Sequence, residues 1–169
     1  MRVPTLPANV TVAPRAPLLI TPMPSSDQQD PPPGSNIPAG SGYKKNDVMV
    51  TALGDIATRG TTIQIQIVIR NNSAKVLLVL WKNSYVHLRD DKGRVYRRYG
   101  EGDPGIDENK QASVGVGNDF RINWPEEMWL GCCDHYEFVG PIDPQAKYLV
   151  LTVDQIVGMT NLNWRFNIQ

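Results

Sequence analysis

Apolar and polar positions alternate with a period of two along most of the chain from residue 43 onward. The clearest case is 61–70, where Ile63, Ile65, Ile67 and Ile69 share one face while Thr62, Gln64 and Gln66 share the other. Alternation with β-branched residues on one parity predicts a strand with one face in a core. Similar signals predict strands at 48–56, 85–89, 94–99, 119–123, 136–139, 148–157 and 162–168. The run Val76-Leu77-Leu78-Val79-Leu80-Trp81 is apolar on both parities and reads as a more fully buried strand. Turn chemistry separates these segments: 71–75, and Asp90-Asp91-Lys92-Gly93, where glycine suits a positive φ. Residues 100–111 read as a polar loop, and Trp124-Pro125-Glu126-Glu127-Met128-Trp129 as one helical turn, with proline and glutamate at its start. Neither a long helical period nor an internal repeat occurs. Eight or nine short strands predict an all-β antiparallel sandwich or barrel.

The first 42 residues break this pattern. They hold ten of the fourteen prolines and only four charged side chains, Arg2, Arg15, Asp27 and Asp30. Proline fixes φ and lacks a donor, so the segment suits neither a helix interior nor a central strand. It also has too few large apolar residues for a core of its own. The expected organisation is an extended Pro-rich arm over 1–42, closed by a linker-like stretch at 34–42, and a β-domain over 43–169. In a polyproline conformation such an arm reaches on the order of 130 Å, at ~3.1 Å per residue. Its short apolar groups, Val10 and Val12 in one and Leu18, Leu19 and Ile20 in the other, are the expected anchors on a partner.

Seventeen basic and seventeen acidic residues cancel. That balance argues against a general nucleic-acid binder, which needs clustered positive charge. Arg94, Arg97 and Arg98 face Asp90 and Asp91 across a turn and read as a solvated strand face. No stretch approaches the ~20 apolar residues of a membrane helix, so no transmembrane segment is expected. As written, the chain carries no signal peptide: Met1-Arg2 leads into prolines, and Leu18-Leu19-Ile20 is too short for an h-region.

Two motifs carry a resemblance. A strand ending in Arg70-Asn71-Asn72-Ser73, followed by an apolar strand and then Leu88-Arg89-Asp90-Asp91-Lys92-Gly93-Arg94-Val95-Tyr96, resembles the immunoglobulin-like extracytoplasmic sandwich modules of bacteria. In those, N-N-S closes one hairpin and D-x-x-G-x-x-Y the next. Residues 136–139 and 146–151 are similar to their closing strands, and the likeness spans roughly 48–168. It implies an immunoglobulin-like antiparallel β-sandwich of about eight strands in an extracytoplasmic or cell-surface protein. The chain departs from the secreted pattern in lacking a signal sequence or lipid-attachment cysteine near its start.

Candidate chemistry is sparse. Glu101, Asp103, Asp107 and Glu108 gather four carboxylates in one loop, the best metal candidate and one suited to calcium, which takes oxygen ligands. The loop lacks EF-hand spacing, and a solvated acidic loop is the simpler reading. Cys132-Cys133-Asp134-His135 offers thiols and an imidazole without the looped spacing of structural zinc, and adjacent strand cysteines do not readily form a disulfide. Neither a G-x-S-x-G element nor a phosphate-cradling glycine loop is present. Trp81 and Trp164 fall in strands and read as core. Trp124 and Trp129 flank a turn and are the second choice for a partner surface. The expectation is a non-enzymatic structural or protein-binding subunit of a larger assembly, without a cofactor, held to other protein subunits through its arm. The alternative is an independent ligand- or calcium-binding module with the arm as spacer.

Overall fold

The computed structural model describes residues 34–55, 62–98, 101, 109–122 and 136–168. They form an all-β sandwich with no α-helix among them. The strands in chain order are β1 (Asn36–Pro38), β2 (Gly42–Lys45), β3 (Val48–Asp55), β4 (Thr62–Asn71), β5 (Leu77–Lys82), β6 (Val86–Asp90), β7 (Val95–Tyr96), β8 (Asn109–Val114), β9 (Asp119–Arg121), β10 (Tyr136–Val139), β11 (Tyr148–Ile156) and β12 (Met159–Asn167). One sheet runs β1-β12-β11-β6-β7. A second runs β10-β4-β3-β2, with β9 on the same edge of β4 as β10, farther along the strand. A third sheet is the pair β5-β8.

Alternation places the core between these sheets. Ile63, Ile65, Ile67 and Ile69 of β4 and Val50 and Ala52 of β3 are fully buried, as the period-two pattern requires. Opposite them lie Leu88, Leu149, Leu151, Trp164 and Phe166. Tyr43 and Trp164 meet edge to face, ring centroids 5.1 Å apart, a favoured aromatic geometry.

The linker reading of 34–42 is corrected, and with it the boundary at 42/43. Asn36, Ile37 and Pro38 pair in parallel with Asn163, Trp164 and Arg165. Further hydrogen bonds run from Gly34 N to Asn161 O, Ala39 N to Arg165 O, and Gly40 N to Ala52 O. The Tyr43 hydroxyl donates to the Ser35 carbonyl at 2.6 Å and accepts from Asn163 N–H at 3.1 Å. The Trp164 indole donates to the Ser41 carbonyl at 2.9 Å. Glycine and serine supply little side chain here, so the ladder and two buried aromatic donors provide an order that composition does not signal.

Three more expectations change. Strand β8 occupies part of the stretch read as a polar loop, because Ala112 and Val114 turn inward while Gln111 and Ser113 turn to solvent. Strand β5 is not fully buried: Val79 and Trp81 face the core, but Leu78 and Leu80 are 57% and 56% exposed. The arginine face is solvated only in part: Arg94 and Arg97 are exposed, but Asp90 and Arg98 are buried.

Candidate functional site

The resemblance motifs prove to be buried polar anchors for turns. The Asn71 amide donates to the carbonyls of Lys75, Val114 and Gly115 at 2.8, 3.0 and 3.2 Å, and its oxygen accepts from the Ser73 backbone and hydroxyl. This one side chain holds the β4–β5 turn against the end of β8. The Asp90 carboxylate accepts from Lys92 N, Arg94 N and the Tyr96 hydroxyl, while Gly93 takes φ +86° to close the turn. Tyr96 in turn accepts from Asp143 N–H, and burial raises its own ionisation above the usual tyrosine range. Beside it, the Arg98 guanidinium donates to the Asn83 carbonyl, and the Tyr136 hydroxyl donates to Asn83 Oδ1 at 3.1 Å. These groups hold the turns of the fold.

Among the described residues, two surfaces stand out. The first is a shallow groove of about 480 Å³ on the outer face of the first sheet, lined by His87, Arg89, Val95, Thr152, Asn161 and Asn163 among others. Its walls are tied internally: His87 Nε2 lies 3.0 Å from Asp154 Oδ2, and Thr152 Oγ1 donates to Asn163 Oδ1 at 2.7 Å. Both groups of the imidazole–carboxylate pair are about half exposed, which leaves the pair little energy in water.

The second surface is the outer face of the β5-β8 pair. Val76, Leu78 and Leu80 expose 68%, 57% and 56% of their areas. The strand partners opposite Leu78 and Leu80 are Ser113 and Gln111, so a leucine stripe lies beside a polar one. Strand β5 pairs with β8 along one edge, and among the described residues no strand pairs with its other edge. A strand edge offers backbone donors and acceptors, and here it carries a contiguous apolar stripe. Pattern reading misses this stripe because Leu78 and Leu80 resemble Val79 and Trp81 in polarity. The usable signal is the partner strand, whose Gln111 and Ser113 mark the solvent side.

The expected site residues fall mostly outside the described residues: Val10, Val12, Leu18, Leu19, Ile20, Asp103, Asp107, Glu108, Trp124, Trp129, Cys132 and Cys133. Glu101 is described and exposed, with its carboxylate accepting from Arg98 N–H at 3.2 Å. Among the described residues no three His, Cys, Asp or Glu side chains are grouped to hold a metal ion. No helix among them is long and apolar enough to cross a membrane.

Neither a protein-family model nor a curated protein matches the chain. Among solved structures it is similar to the yjhA protein from Bacillus subtilis, at a TM-score of 0.44 and 12% identity, over 79% of this chain and 99% of that one. A likeness at that level carries no argument about topology or function.

Proposed function

We propose that this chain is a non-enzymatic, protein-binding structural subunit of a larger extracytoplasmic or cell-surface assembly, an immunoglobulin-like sandwich docked to other protein subunits through its N-terminal arm. The observation that carries this reading is the anchoring of residues 34–38. Gly34 is bonded to the carbonyl of Asn161 and β1 is laddered to β12, so the Pro-rich sequence of residues 1–33 joins the sheet at a fixed point. Proline-rich segments lose little entropy on docking, and extended segments bind through strand addition or aromatic grooves. The buried polar anchors at Asn71 and Asp90 support the same reading, since they serve turns.

Removal of residues 1–33 tests it. The shortened chain should keep the unfolding midpoint of the whole protein and lose its association with other subunits. Cutting at 42 is the wrong experiment, because it also removes β1 and the carbonyls that accept from Tyr43 and Trp164. Assembly retained without residues 1–33 would overturn the reading.

A further inference from the structure

We propose that Val10-Thr11-Val12 of one copy adds as an extra strand to β5 of a second copy, at the edge that has no partner among the described residues, setting Val10 and Val12 beside Leu78 and Leu80. The inference rests on the reading that the arm is the docking element, and it names what the arm docks onto.

Three features meet at this pairing. The acceptor is a strand edge with no partner among the described residues, and its outward side chains are apolar and more than half exposed. The donor is the 8–13 window, which is bracketed by Pro7 and Pro14 and contains no proline, so every N–H on the side facing β5 is available to a ladder. Its length matches the six residues of β5. Within it, Val10 and Val12 fall on one parity and Thr11 on the other, so both valines can share the face of Leu78 and Leu80. The other six-residue proline-free window of the arm, 25–30, is Ser-Ser-Asp-Gln-Gln-Asp and offers no apolar partner.

The spacer selects a neighbour over the same copy. Seven prolines fall in the 21 residues between Val12 and Gly34. In a polyproline conformation a spacer of that length would reach roughly 65 Å, against a radius of gyration of about 14 Å for a body of this size. Gly34 is bonded to Asn161, at the end of the sheet where residues 83–85 hand β5 over to β6 through the pairing of Val86 with Val153. The copy's own β5 is therefore close to the arm's root, and a stiff spacer would have to double back to reach it. Effective concentration is highest where linker length matches the span, which is met by an adjacent subunit. Passing an arm from each copy to the next is a heterologous contact, which builds rings or open chains.

The test uses the full chain in sedimentation and light scattering. Wild type should associate, whereas Val10→Asp/Val12→Asp and Leu78→Lys/Leu80→Lys should each be weakened more than about tenfold, because each sets an unpaired charge in the new interface. Mixing the two variants should restore a defined heterodimer, since one supplies an intact arm and the other an intact edge. Leu80→Gln, a milder outward change, serves if the double lysine variant loses its native circular dichroism. A monomeric wild type overturns the inference, and so does a mixture that stays monomeric, the result of an arm bound within its own copy. Association lost in the arm variant but kept in both edge variants sinks β5 as the acceptor and leaves arm docking standing. Association kept in the arm variant as well removes Val10-Thr11-Val12 as the donor, and removal of residues 1–33 then decides whether the arm docks at all.

Discussion

Asn71 is buried with its amide donating to three carbonyls and its oxygen accepting from two Ser73 donors. A buried group left without its partner costs about 1–3 kcal/mol, and Asn71→Ala strands several at once. Urea unfolding should show a loss of about 3 kcal/mol or more, against about 1 kcal/mol for Ser73→Ala, which leaves the amide donors in place. Tyr136 gives a second prediction. Burial holds its hydroxyl well above the usual tyrosine range. An acid whose folded pKa is raised contributes stability below the unfolded value, and that stability is lost as pH rises past about 10. Denaturant midpoints should therefore fall steadily above that pH, more shallowly in Tyr136→Phe, and ultraviolet titration should show one tyrosine ionising only on unfolding. The N-N-S and D-x-x-G-x-x-Y motifs were legible as turn markers at this scale. The burial of Asn71, Asp90 and Arg98 was not, because polarity alone says nothing about which polar side chains are enclosed by backbone donors and acceptors.

At the scale of elements, glycine separates close packing from tolerance. A Cβ on Gly54 in β3 would lie 3.0 Å from the Phe166 ring and 3.2 Å from the Gln64 carbonyl, neither of which can yield easily. A Cβ on Gly42 in β2 would meet Met49, whose flexible side chain can swing aside. Gly54→Ala should thus cost about 1–3 kcal/mol and Gly42→Ala distinctly less, read from denaturant midpoints at constant m. Strands with one polar face were legible in position to within a residue or two: β3, β4, β6 and β10 lie where alternation puts them. Strands without contrast were not. Strand β1 is three residues of Asn-Ile-Pro held by a parallel ladder to β12, a contact made across more than a hundred residues of sequence. Strand β5 shows apolar residues on both faces, so its outer stripe became visible only through its pairing with β8.

For the whole molecule, charge decides which forces can hold an assembly together. The arm's two arginines and two aspartates cancel, as do the seventeen acidic and seventeen basic residues of the chain. Neutral partners gain little from long-range attraction, and salt screens whatever remains beyond about 10 Å at 0.1 M. The all-β body was legible in the alternation. The acceptor surface was not, because it depends on which strand edges and faces the tertiary pairing leaves uncovered. That surface predicts a salt response. Docking through backbone hydrogen bonds and the Leu78–Leu80 stripe should hold its affinity, or tighten, as sodium sulfate is raised, since excluded salts favour apolar burial. Docking driven by charge would weaken steeply over the same range. Sedimentation at rising sulfate separates the two, and a dissociating assembly would remove the apolar edge as its source of affinity.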